Sequence, residues 1–184
     1  SKAIKNQIEM KAIKKAHVID GVALCKYFHW LEETMAQATV EREQDPGWNG
    51  ELTLDEVNVA DQLYKYRQET TSSFIGNSFS TISSSGPNGA IVHYEPVRDE
   101  CRQLNVNEVY LCDSGGQYGS PYPGTTDVTR CYKHMEPTLL EKECYTKVLQ
   151  GHIDLSSAVF PAGTHGYKLD IIARLPLFSS GKNY

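Results

Sequence analysis

Apolar residues recur with helical spacing over residues 5–30. Ile8, Ala12, Val18, Val22 and Leu31 fall near one stripe, while Lys2, Lys5, Lys11, Lys14 and Lys15 lie elsewhere. The pattern predicts an amphipathic helix with a solvated lysine face. Residues 44–50 (QDPGWNG) read as a turn-rich break. Thr53-x-x-Glu56 has the spacing of a capping box and predicts a second helix running to about Glu69. Residues 71–89 are rich in Ser, Gly and Asn, a linker composition set between structured segments. Residues 90–94 and 108–113 read as strands joined by a polar stretch over 98–107. Pro137 suits the first position of a long helix over 138–160, since its missing N–H is not needed there. The PAG at 161–163 breaks that helix, and a last helix follows over 167–179. No internal repeat is present.

Chemistry concentrates in DSGGQYGSPYPGTTDVTR, residues 113–130. Two β-prone runs flank a loop of Gly, Ser, Pro and Tyr, which is hairpin composition. Each arm carries one carboxylate, Asp113 and Asp127. Opposed residues of an antiparallel pair approach to about 5 Å between Cβ atoms. Two hard oxygen donors that close suit Mn, Mg or Zn. The same spacing also fits a solvated or turn-capping pair of acids.

Composition narrows the classes. One sizeable core fits a chain of 184 residues. At 40% hydrophobic and 22% charged residues it is ordinary globular material. A net charge of -5 gives nucleic-acid binding no global support. No apolar run has the length of a membrane span, and no signal peptide opens the chain. Five cysteines without CxxC spacing fit a reducing cytosol, where they pack as small hydrophobes. Cys112 adjoins Asp113, but strand alternation turns it to the opposite face as a core thiol. No HExxH, GxSxG elbow or Walker loop occurs. His93, in IVHYEP, has a near-neutral unperturbed pKa that suits proton transfer, although a lone histidine beside a tyrosine equally fits a structural role. His17, His29, His134, His152 and His165 form no metal-ligand pairing.

Several segments, in order, resemble the aminopeptidase P family, the Xaa-Pro aminopeptidases among the pita-bread metallopeptidases. They are KNQIEMKAIKKAHVIDG, WLEE, LTLDE, SFSTISSSGPNGAIVHYEP, DSGGQY, TTDVTR, PTLLEKECYTKVLQGHI, FPAGTHGYKLDIIAR and GKNY. The resemblance implies an α+β fold of antiparallel strands with flanking helices, with residues 1–184 as the single, incomplete N-terminal portion of a pita-bread catalytic domain. It implies that Asp113 binds one metal ion, that Asp127 bridges two, and that His93 contacts substrate and assists proton transfer. Tyr118, Thr126 and Thr129 are candidates for donating to these carboxylates from behind. The Asp113–Asp127 interval is longer than the family's usual one, with SPYP-like material inserted.

The implied activity is release of the N-terminal residue from peptides with proline second, through a hydroxide activated by two divalent ions. Mn is the first expectation, with Zn or Co as alternatives. The implied setting is cytoplasmic, with frequent homodimers, and no nucleic-acid or membrane partner is expected. In the family a segment like GKNY leads into HGTGHGVG, and the remaining histidine and two glutamate ligands follow. The chain is therefore expected to need a C-terminal half and to be inactive alone. A non-catalytic pita-bread binding module is the alternative, although such a module has no need of both aspartates. Prolidase and methionine aminopeptidase are nearer rivals, and GPNGAIVHY and TTDVTR favour aminopeptidase P over them.

Overall fold

Asn6 nucleates the first helix, α1 (Gln7–Arg42). Its Oδ1 accepts from the Ile8 and Glu9 amides, and Glu9 returns its carboxylate to the Asn6 amide at 2.8 Å. The reciprocal pattern satisfies amides that a helix start otherwise leaves unpaired. The computed structural model describes residues 3–42, 45 and 47–184. Within the break expected at 44–50, Gln44 and Pro46 lie outside the described residues, and Gly50 takes φ 89. The chain forms two compact units, Ser1–Met135 and Glu136–Tyr184.

The buried stripe of α1 is Ala12, Ala16, Asp20, Ala23, Tyr27, Leu31 and Met35. Only part of the expected stripe survives, because Ile8, Val18 and Val22 are exposed. Residues 12 and 18 are separated by about 240° of helical rotation, so the expected set mixed two faces. The helix also runs twelve residues past Trp30, to Arg42.

Thr53 belongs to a strand, β1 (Glu51–Asp55), and does not cap a helix. The next helix, α2 (Glu56–Thr70), is capped by Asp55, whose side chain accepts from the Asn58 amide at 2.6 Å. Glu56, expected to close a capping box, is instead fully buried. The linker-like region contains two strands, β2 (Phe74–Asn77) and β3 (Ile82–Ser85). No strand forms at 90–94. Gly86–Ala90 is a 3-10 turn, entered at Gly86 with φ 56, and His93 follows with φ 55. Ile91 and Val92 are β-prone but find no partner strand, and both are exposed.

Strand β4 (Gln103–Asn105) pairs antiparallel with β1. It is followed by β5 (Tyr110–Ser114), β6 (Gly116–Tyr118), β7 (Gly124–Thr125) and β8 (Val128–Tyr132). These last four strands are the two arms of one hairpin. Pairing runs from Tyr110 opposite Tyr132, through Asp113 opposite Thr129, to Ser114 opposite Val128, and resumes with the same offset at Gln117 opposite Thr125 and Tyr118 opposite Gly124. Reciprocal bonds between Gly116 and Thr126 bridge the middle. The base of the hairpin joins the sheet β3-β5-β8, and its outer part joins β2-β6-β7. The chain crosses between sheets at Gly115, where a Cβ would sit 2.0 Å from the Thr126 carbonyl oxygen. Only glycine permits that approach. Behind the sheet, Tyr27, Leu31 and Met35 of α1 pack with Val59 and Leu63 of α2 and with Tyr110 and Cys112.

The second unit pairs α3 (Leu139–Ser157) with α4 (Asp170–Phe178). Thr138 caps α3 in a full capping box with Glu141, so Pro137 precedes the cap and is not the first helical residue. The helix ends at Ser157, three residues before the expected end. Gly151 lets the helices touch, since a Cβ there would meet the Ala173 carbonyl oxygen at 2.1 Å.

Candidate metal centre

The β3-β5-β8 sheet has two unlike faces because side chains alternate along each strand. Ser83, Ser85, Tyr110, Cys112 and Ser114 share the face toward α1 and α2, and all are buried. On the other face, Asp113 lies between Ile82 and Thr129, beside Leu111. Asp127 lies just past Val128, in the last pair of the β5-β8 ladder; extending the register would set it opposite Gly115, and alternation with the buried Thr126 would turn it to the same face. Asp113 and Asp127 are therefore diagonal neighbours and not directly opposed; such pairs have Cα atoms about 7–8 Å apart.

Asp113 is partly buried, and its Oδ1 is inaccessible to water yet has no hydrogen-bond partner. An unpaired buried acceptor costs about 1–3 kcal/mol, and more when charged. Asp127 is exposed. A divalent cation fits this pair: its donors are hard oxygens, and one of them lacks a proton donor that a cation would replace. Among the described residues, no three His, Cys, Asp or Glu side chains converge as a metal site.

His93 is exposed on the turn that follows the 3-10 segment. That segment packs on the Asp113 face, since a Cβ at Gly89 would lie 3.7 Å from the Leu111 Cβ and 3.9 Å from Ser84 Oγ. Glu56 fixes the segment from the side. Its carboxylate accepts from the Ser85 amide (2.6 Å), Asn88 (3.0 Å), the Tyr94 hydroxyl (2.6 Å) and the Arg102 amide (3.0 Å). Burial, reinforced by the bond to Glu56, holds the Tyr94 phenol well above its ordinary pKa, so it remains a donor.

Two of the three residues expected to support the aspartates do something else. Tyr118 OH donates to Asp20 Oδ1 at 2.6 Å, and Thr126 Oγ1 donates to Asp20 Oδ2 at 2.9 Å. Even-numbered positions of this arm point to the buried face, so the Tyr118 hydroxyl serves the interior. Thr129 does share the face of Asp113 and sits directly opposite it.

Sequence reasoning missed Asp20 and Arg67. Their side chains are 1% and 0% exposed and form a 2.7 Å ion pair. Arg67 also reaches Asp20 Oδ2 at 3.3 Å and Ser114 Oγ at 3.0 Å. The signal was present: each is a charged residue that continues an apolar run on its helix. Asp20 continues Ala12–Ala16, and Arg67 continues Val59–Leu63. Cys112 is buried as expected, and that burial pushes its thiol up to about 11.

Residues 11–183 match the model of metallopeptidase family M24. A probable Xaa-Pro aminopeptidase P of Sordaria macrospora is 49% identical over all 184 residues, which cover 27% of the relative. Aminopeptidase P1 of Lotus japonicus is 44% identical over the whole chain, covering 29% of the relative. Among solved structures, X-prolyl aminopeptidase from Caenorhabditis elegans, described as a cytosolic enzyme with a di-nuclear active site, superposes with TM-score 0.77. It is 33% identical over 96% of this chain and 26% of its own. Prolidase from Pyrococcus furiosus shares the fold at TM-score 0.65 and 22% identity, over 97% of this chain and 44% of its own. The chain belongs to metallopeptidase family M24, with the α+β architecture of its pita-bread members. It spans about a quarter of the length of the curated relatives it matches.

Proposed function

We propose that this chain is part of an Xaa-Pro aminopeptidase, in which Asp113 and Asp127 hold divalent metal ions and His93 serves the substrate. The observation that carries the reading is the buried, unpartnered Oδ1 of Asp113; extending the hairpin register to Asp127 supports placing both carboxylates on one face. A purely structural carboxylate at that position would be expected to have a donor. Two ions held there, Mn by first preference, would supply an acidified water and a Lewis acid for the scissile carbonyl.

The protein's own residues do the remaining work. Asp113 and Asp127 would hold the ions through their carboxylates. His93 orients the substrate near the scissile bond and exchanges a proton through its imidazole. The Glu56 contacts hold the turn that carries it. Two carboxylates leave most coordination positions open, so the remaining ligands come from outside residues 1–184, and those residues alone hold metal weakly and do not turn over. A cytosolic setting follows the description of the Caenorhabditis elegans relative.

The test is release of the first residue from Xaa-Pro and Xaa-Ala peptides by the protein at its full natural length, with and without Mn. Metal-dependent cleavage confined to Xaa-Pro, and lost in Asp113→Asn, is expected. Full cleavage by Asp113→Asn would overturn the reading.

A further inference from the structure

Asp113 and Asp127 are held from behind as well as along their strands. One position beyond Asp113, Ser114 Oγ accepts from Arg67 at 3.0 Å. One position before Asp127, Thr126 Oγ1 donates to Asp20 at 2.9 Å and accepts from the Gly116 amide at 2.8 Å. Asp20 and Arg67 are joined to each other at 2.7 Å. A single buried ion pair thus grips both arms of the hairpin, each next to a carboxylate. Tyr118 OH adds a third tie, to Asp20 Oδ1 at 2.6 Å.

The grip falls where the hairpin is most constrained. At Gly115 the chain crosses from one sheet to the other, with a Cβ there 2.0 Å from the Thr126 carbonyl and 2.3 Å from Ser78 Oγ. Ser78 also bonds the Thr126 carbonyl at 3.0 Å and, through its amide, the Gly115 carbonyl at 3.0 Å. Backbone that crosses between sheets lacks a continuous ladder on its outer side, so side-chain bonds must set its geometry. Residues 114 and 126 point to the buried face, while 113 and 127 point to the open one. Fixing the former pair sets where the latter emerge.

The geometry points to Asp20 and Arg67 as positioning residues that set the separation and aim of the Asp113 and Asp127 carboxylates, through Ser114 on one arm and Thr126 on the other. The claim rests on the reading of those aspartates as metal ligands. A buried ion pair is a weak source of net stability and is better suited to specifying geometry. Partners that orient metal ligands typically change affinity about 10- to 100-fold when removed.

Removal of Asp20 or Arg67 leaves a buried charge unpaired, so the test uses the hydroxyls they hold. Thr126→Val, Thr126→Ser and Ser114→Ala are prepared in the protein at its full natural length, with Asp113→Asn as reference. Mn affinity is measured by calorimetry and by the EPR signal of free Mn, thermal melting confirms folding, and amide exchange at Gly116 is followed without metal. Thr126→Val and Ser114→Ala are expected to bind Mn about 10- to 100-fold more weakly while folded. Thr126→Ser should restore affinity, and Gly116 exchange should quicken only in Thr126→Val. Lower melting temperatures with unchanged Mn affinity would reduce the pair to a structural one and overturn the proposal. If Asp113→Asn abolishes binding while both hydroxyl variants bind as the original does, the positioning claim alone falls. If Asp113→Asn binds Mn normally, the ligand reading falls and takes the positioning claim with it.

Discussion

The two faces of the β3-β5-β8 sheet treat polar groups in opposite ways. On the buried face, Tyr110 OH bonds both Tyr27 OH and Ser83 Oγ at 2.8 Å, and Ser114 meets Arg67. On the open face, Asp113 Oδ1 is buried without a donor. The same strands therefore carry one face that is chemically closed and one left with unused acceptor capacity. Closed networks specify a structure, while an unpaired buried acceptor calls for an explanation, which the proposed metal role of Asp113 would supply. The contrast separates the residues that should hold and aim the strands from those proposed to touch metal and substrate.

The contrast breaks most sharply at Asp113. Asp113→Asn should eliminate metal-dependent turnover in the full-length protein while leaving metal-free denaturant stability nearly unchanged. A large stability loss would mean that the open face is structural after all. The reverse is expected at Arg67, where Arg67→Met strands the Asp20 carboxylate in the interior and should cost about 3–5 kcal/mol in urea unfolding. A loss below about 1 kcal/mol would show that Asp20 finds another partner.

His93→Ala should lower turnover about 100-fold or more while metal content changes little. Because His93 sits at φ 55, His93→Gly should lower turnover equally yet match or exceed the stability of His93→Ala. Wild-type turnover in either variant would remove His93 from the mechanism.

The smallest effect concerns alkali. Burial raises the Cys112 thiol to about 11, so the folded state holds that proton more tightly than the unfolded chain does. Its contribution is intact below about pH 9 and is lost as pH rises toward about 11, at about 1.4 kcal/mol per pH unit. Cys112→Ala should flatten that part of the stability–pH curve. At pH 8, alkylation should reach exposed Cys25 and Cys131 and spare Cys112.

Local chemistry made some of this legible in sequence. The Gly-, Pro- and Ser-rich loop between β-prone arms announced the hairpin, and alternation assigned Cys112 and Asp113 to opposite faces. The helix over 138–160 was legible through Pro137, although the cap is the next residue, Thr138, whose capping-box spacing to Glu141 went unread. Long-range pairing was not legible. The IVHY run has strand propensity, but no neighbouring strand receives it once Gly86 and Pro87 turn the chain. The serines of β3 look like linker and are buried because hydroxyls can bond Tyr110, Glu56 and Leu111. Asp20 and Arg67 lie 47 positions apart. Each looks like a flaw in its own helix until the other is placed beside it.

The common offset of the hairpin's two ladders has a consequence for how this protein can vary. Pairing holds from Tyr110–Tyr132 to Ser114–Val128 and again from Gln117–Thr125 to Tyr118–Gly124, so the SPYP segment is confined to a tip of residues 119–123. Loop length changes closure entropy only slowly. Two paired rungs and the Gly116–Thr126 bonds separate the tip from Asp127, so lengthening or shortening it should leave the register below intact. Such a tip is an evolutionary free end, able to acquire contacts of its own while the chemistry below stays constant. It is also a natural place to graft a reporter peptide.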